Sequence, residues 1–232
     1  MNHNGRLVVN VTIVNIRRTA YNSAVMKTQP APRRTYHHGA LKSALILEAA
    51  KLVERRKDGT FTIRDLAARL GVSHSAAYRH FRDKRTILAA VAEQGFRLLH
   101  LRLAEAEEGR EAQPGECLRE KGVVYVMFAL ENPGYFRAMF HSELSDKRQH
   151  PTLQQAAHAA FQSLATTIEA WRSLEPLAGG STEQLSIKAW AQVHGLACLL
   201  VDGQLPQLAQ ARGRRKEERE RLARAIGEIL ES

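Results

Sequence analysis

The sequence predicts an all-α protein in which a small three-helix unit carrying a helix-turn-helix precedes a larger helical bundle. Three observations carry that expectation. From Ala40 onward, apolar residues recur at i, i+3 and i+4 almost without interruption. The breaks between periodic segments are short clusters of Gly, Pro, Asn, Asp and Ser, as connections between helices require. The charge is also divided: residues 1–86 hold 17 Lys and Arg against 5 Asp and Glu, whereas the remainder holds 17 against 19. A basic lobe joined to a near-neutral one points to a polyanion-binding unit attached to something else.

The elements follow in order. Residues 40–56 put Leu41, Leu45, Ala49, Leu52 and Val53 on one stripe, and Lys57-Asp58-Gly59 ends that helix, glycine suiting a left-handed stop. Residues 60–71 read as a short helix with Ile63, Leu66, Ala67 and Leu70 inward. Gly71-Val72-Ser73 is a tight turn, with Ser73 placed to N-cap a helix over 74–80. Phe81-Arg82-Asp83 is a second break, with Asp83 as N-cap of a longer helix over 84–108. Residues 109–115 read as a linker, followed by helices at about 116–131, 134–140, 151–174, 182–201 and 215–231.

The N-terminus departs from this pattern. Residues 7–16 are β-branched and roughly alternating, a strand signature with no evident partner. As a signal peptide the stretch fails, because Asn10 and Asn15 break it. Residues 1–35 are therefore expected to be a disordered basic arm or, up to Met26, a mis-called start. The expected organisation is this arm, a helix-turn-helix domain over 36–86 and a second domain over 87–232.

Composition narrows the function classes. At 232 residues with 44% apolar content, a sizeable core is available. No run reads as membrane-spanning. Two cysteines, Cys117 and Cys198, make neither a disulfide framework nor a thiolate metal site and fit a reducing cytoplasm as small buried apolar residues. There is no His-Glu-x-x-His, Gly-x-Ser-x-Gly or phosphate-cradling glycine loop, so no enzyme and no cofactor are expected. His141, Glu143, His150 and His158 do not share one helical face, so no metal site is expected either.

The most informative stretch is Thr62 to Phe81, TIRDLAARLGVSHSAAYRHF. Ala67 lets two helices approach closely, Gly71 permits the turn, and Val72 and Ala77 pack the second helix on the first. Ser73, His74, Ser75, Tyr78 and Arg79 are left outward, where a recognition helix meets the major groove. This motif, the helix before it, the Gly59/Phe61 approach and the Tyr78-x-x-Phe81-x-x-Lys84 run make residues 36–96 closely resemble the DNA-binding domain of the tetracycline-repressor (TetR) family. Asn132-Pro-Gly-Tyr135-Phe136-Arg137-Ala-Met139-Phe140 and Trp190-Ala-Gln-Val-His194-Gly195 resemble a branch whose C-terminal domain is named for its Trp-His-Gly residues. Together the resemblances cover roughly residues 36–205.

The resemblance implies a homodimer that binds double-stranded, palindromic operator DNA, usually as a repressor, and releases it when a small-molecule effector binds. It implies phosphate contacts from Thr62, whose hydroxyl and helix N-terminal N–H groups suit an anion, and from Tyr78, His80 and Lys84. Lys42 is a further phosphate candidate, and Arg33 and Arg34 sit on an arm able to reach a groove or backbone. Ser73, His74, Ser75 and Arg79 are the candidates for base edges, Arg79 for guanine in particular. Ala76 stands where many members have a polar residue, which narrows the available hydrogen bonding.

In the second domain, helix 182–201 is apolar on more than one face and should be buried on two sides. With the single-striped last helix it is a candidate for a four-helix dimer interface. Met127, Phe128, Phe136, Met139, Phe140, Phe161, Trp171, Trp190 and His194 are candidates to line a pocket for a largely apolar effector, core packing being the alternative for each. A second reading, a sequence-nonspecific architectural DNA protein, requires basic residues spread more widely than these are.

Overall fold

A computed structural model describes residues 38–56, 60–110, 112–174, 179–206 and 216–231. All regular structure among them is helical: α1 (His38–Arg55), α2 (Ile63–Leu70), α3 (His74–Tyr78), α4 (Lys84–Glu107), α5 (Pro114–Glu131), α6 (Pro133–Met139), α7 (Pro151–Leu174), α8 (Thr182–Val201) and α9 (Lys216–Glu231). Two short 3-10 turns, Ser142–Leu144 and Lys147–Gln149, lie between α6 and α7. The strand expected over residues 7–16, the arm with Arg33 and Arg34, and the Lys57-Asp58-Gly59 stop all fall outside the described residues. Among the described residues no helix is long and apolar enough to cross a membrane.

Local chemistry sets the boundaries of the first helices. The Thr62 hydroxyl accepts from the Asp65 N–H at 3.1 Å while the Asp65 carboxylate accepts from the Thr62 N–H at 2.9 Å, a reciprocal cap that starts α2 at Ile63 instead of Thr60. Gly71, at φ 66°, ends α2 in the left-handed conformation that glycine adopts without a Cβ penalty. Ser73 caps α3 through the Ala76 N–H, and Asp83 caps α4 through both the N–H and the hydroxyl of Thr86. These hydrogen bonds, with Arg82 beside it, hold the Asp83 carboxyl below the usual carboxylate range. Proline at the first position starts α5 at Pro114 and α6 at Pro133, slightly ahead of the expected starts. Ser181 and Gln184 form a second reciprocal cap, on α8.

The described residues form one compact unit. α4 is its axis: it packs against α1 near its start and against α5, α6 and α7 further along. Leu45, Leu52, Leu66, Ile87 and Leu88 are fully buried at the front of the core, and Phe128, Met139, Leu144, Leu153, Ile168, Leu200 and Ile226 continue it rearward. α6 bridges the two regions. Gly134 lies so close to α1 that a Cβ there would overlap the Ala50 carbonyl oxygen, and Arg137 of the same helix pairs with Asp202, just past the end of α8, at 2.7 Å.

Candidate nucleic-acid interface and ligand cavity

The outward face of the helix-turn-helix is built by subtraction. Ile63, Leu66, Ala67 and Ala77 are buried between α2, α3 and α1, which leaves Ser73, His74, Ser75, Tyr78 and Arg79 exposed on one surface. Tyr78 is 44% exposed, a large aromatic side chain left partly in water. The Ser73 hydroxyl lies 3.1 Å from that of Ser75, so the two act as one polar pair at the start of α3. Thr62 is exposed at the start of α2, with its hydroxyl accepting from the Asp65 N–H. Lys42 is exposed on α1, and His80 is half-buried just past the end of α3.

Lys84 has a more constrained setting. Its ammonium lies 2.6 Å from the Glu143 carboxylate in the first 3-10 turn and 5.9 Å from the centre of the Phe61 ring. A carboxylate from the segment between α6 and α7 thus holds a lysine at the foot of the helix-turn-helix. No local sequence pattern announces this pair, since the partners are 59 positions apart.

Behind this head is a partly open cavity of about 790 Å³ bordered by α4, α5, α7 and α8, with Phe140 and Lys147 from the α6–α7 connection and Leu230 from α9. That volume falls within the usual range for small-molecule sites. Phe96, Leu99 and Leu103 of α4 form one wall; Phe161, Leu164 and Trp171 of α7 and Trp190 of α8 form others. Of the residues singled out from the sequence, Phe140, Phe161, Trp171 and Trp190 line the space. Phe128, Phe136 and Met139 are buried in the core, Met127 is partly buried against it, and His194 is outside the lining, its ring centre 4.4 Å from that of Phe140 with the planes inclined by 59°.

A chain of polar groups runs through this aromatic cluster. The Trp190 indole N–H donates to the Tyr125 hydroxyl at 3.3 Å, and that hydroxyl lies 2.9 Å from His194 Nδ1. His194 Nε2 in turn lies 3.6 Å from Cys198 Sγ. Burial pushes the Tyr125 phenol well up, so it keeps its proton, and the direction of its hydrogen bond with Nδ1 follows the imidazole tautomer. Burial also lowers His194 below its ordinary 6.5, favouring the neutral ring, and raises the Cys198 thiol. Because unfolded His194 binds protons more readily than folded His194, stability is full above the unfolded value and falls as pH drops below it. We expect the urea midpoint to fall between about pH 7.5 and about pH 5.5, and the fall to be smaller in His194→Gln. An equal fall in both proteins would contradict this assignment.

Tyr125 and Lys121 line the cavity and were not among the residues read from the sequence. A signal existed: Cys117, Lys121, Tyr125 and Phe128 follow helical spacing on one face of α5, so Lys121 stands on an apolar stripe. Lys121 is 2% exposed, with its ammonium 2.7 Å from Glu107 of α4 and 2.7 Å from the Thr167 hydroxyl of α7. Lys147 carried no such signal. On α8, Ile187, Ala191, Gly195 and Leu199 form an exposed line, and a Cβ at Gly195 would meet nothing within 4 Å.

Comparison with known proteins agrees with this geometry. A family model described as bacterial regulatory proteins, tetR family, matches residues 45–91, and one described as tetracyclin repressor-like, C-terminal domain, matches 118–226. YobS of Bacillus subtilis, an uncharacterized HTH-type transcriptional regulator, is 24% identical over 160 residues, covering 66% of this chain and 82% of that protein. A solved structure of a protein of unknown function from Rhodococcus sp. RHA1 is 27% identical with a TM-score of 0.63, covering 84% of this chain and 96% of that one. The structure of AibR in complex with isovaleryl coenzyme A and operator DNA is 17% identical with a TM-score of 0.61, covering 82% and 97%.

Proposed function

The chain belongs to the TetR family and is a non-enzymatic, DNA-binding transcriptional regulator; from that premise we propose that it represses from a palindromic operator as a cytoplasmic homodimer and is released by a small-molecule effector. Residues 36–86 serve as the DNA-binding domain and residues 87–232 as the ligand-binding and dimerisation domain. The observation that carries this reading is the solvent-facing set Ser73, His74, Ser75, Tyr78 and Arg79 on a helix whose opposite residue, Ala77, is buried. In this reading Ser73, His74, Ser75 and Arg79 read bases, and Lys42, Thr62, Tyr78, His80 and Lys84 contact phosphate. The exposed apolar line on α8 supports pairing of two copies through that helix.

The cavity supports effector binding, and two elements are placed to transmit it. α4 begins at Lys84 and carries Phe96, Leu99 and Leu103 in the cavity wall. α6 presses on α1 at Gly134 and hands over to Phe140 at the cavity. Ligand binding between them changes the separation of the two recognition helices from the ~34–36 Å of one DNA turn. A differential affinity of about 2–3 kcal/mol suffices for a working switch.

Selection of genomic fragments by the purified protein at near-physiological salt, followed by sequencing, tests the reading. One palindromic site is expected; fragments without shared sequence would favour an architectural protein. On that operator, Arg79→Ala should cost about 1–3 kcal/mol and relax preference at one base position. Lys84→Ala should weaken all sequences alike and reduce the salt slope by about one for each phosphate it leaves without a cation. Glu143→Gln, which frees Lys84, should act in the opposite direction. An unchanged salt slope in Lys84→Ala would remove Lys84 from the interface.

A further inference from the structure

The effector cavity proposed above has an uneven charge distribution. Its wall is mostly apolar and aromatic, yet it includes the cations Arg119, Lys121 and Lys147 against a single carboxylate, Glu116. Lys121 is neutralised within the protein by Glu107. Arg119 reaches toward α9, where a Cβ at Gly227 would stand 3.3 Å from its Nη1. Lys147 differs from both: it is partly buried, lines the cavity, and its ammonium makes no hydrogen bond or ion pair among the described residues. A ligand that fills the cavity would cover this unpaired cation, and an acid group on that ligand spares the cost of burying the charge alone.

We infer that the cavity takes an amphipathic organic anion, its apolar body held among Phe96, Phe161, Trp171 and Trp190 and its acid group paired with Lys147. The inference rests on the effector-cavity reading and adds the chemical class of the ligand. A purely apolar effector would fill the walls but leave Lys147 uncompensated. The position of Lys147 also bears on signalling. It lies in the second 3-10 turn and Glu143 in the first, so one short segment carries both the effector's counter-ion and the carboxylate that holds Lys84. An acid group drawn onto Lys147 therefore acts on the segment that touches the DNA-binding head.

Two fluorescent probes of nearly the same aromatic skeleton test the assignment on the full chain: anilinonaphthalene sulfonate, an anion, and N-phenylnaphthylamine, which is uncharged. The sulfonate should bind the wild type at least as tightly as the amine. Lys147→Met should weaken the sulfonate about 10-fold, the worth of one charge-assisted contact, and leave the amine unchanged. Lys147→Arg should restore the sulfonate, which a merely structural loss would not allow. If Lys147→Met left the ratio of the two affinities as in the wild type, the anion assignment would be wrong while the cavity stood. If neither probe bound the wild type at a defined stoichiometry, the cavity itself would fail as a ligand site, and the inference with it.

Discussion

Replacing Gly134 with alanine is expected to destabilise the protein by about 3 kcal/mol, at the upper end of the usual cost of overpacking. The added methyl group would overlap the backbone carbonyl oxygen of Ala50. A carbonyl inside a helix cannot rotate away as a side-chain end can, so α6 must lift from α1 or α1 must bend. Gly115→Ala supplies the opposite case. A Cβ there would meet Trp171 at 3.6 Å, an ordinary contact, and alanine in place of glycine in a helix gains up to about 1 kcal/mol. Urea unfolding of the two variants should therefore shift in opposite directions. If Gly134→Ala unfolded at the wild-type midpoint, the close packing of α6 on α1 would be wrong. Where the variant stays folded, its operator affinity should respond less to effector than the wild type's, because α6 connects the cavity to α1.

The difference between these two glycines also indicates how far the sequence could be read. Elements whose boundaries are decided by neighbours in the chain were legible: Ser73 and Asp83 cap the helices expected of them, and Gly71 takes the left-handed turn, because each depends on residues within a few positions. The exposed face of α3 followed from the same logic, since burying Ala77 settles which residues point outward. The cavity was legible only in part. Aromatic residues at helical spacing announce burial, not whether they border space, and so Phe128 and Phe136 read no differently from Phe140 and Trp190. Pairings across long separations, such as Lys84 with Glu143 or Tyr125 with His194, depend on how helices cross, and no local pattern encodes them. Gly134 looked like ordinary punctuation after Asn132-Pro133, although its role is the close approach to α1.

Lys121→Ala is the second change expected to have a large effect, a drop in stability of about 3 kcal/mol, whereas Lys121→Met should cost about 1 kcal/mol. The ammonium ties three helices together: it sits on α5 and donates to the Glu107 carboxylate of α4 and to the Ser163 carbonyl and Thr167 hydroxyl of α7. The partners do not all suffer when it leaves. Glu107 is 38% exposed, so water takes up its charge, and the Thr167 hydroxyl already donates to the Ser163 carbonyl at 3.1 Å. What alanine removes in addition is the aliphatic stem of a residue that is only 2% exposed, and the void it leaves adjoins the cavity. Methionine keeps most of that stem and gives up only the polar interactions. The difference between the two variants in urea unfolding therefore separates packing from charge. Equal destabilisation would assign the stabilisation to the ammonium and its hydrogen bonds, and the account of a largely compensated ion pair would have to be abandoned. A large gap would assign it to the stem, making Lys121 a residue that fixes the spacing of α4, α5 and α7 around the ligand space.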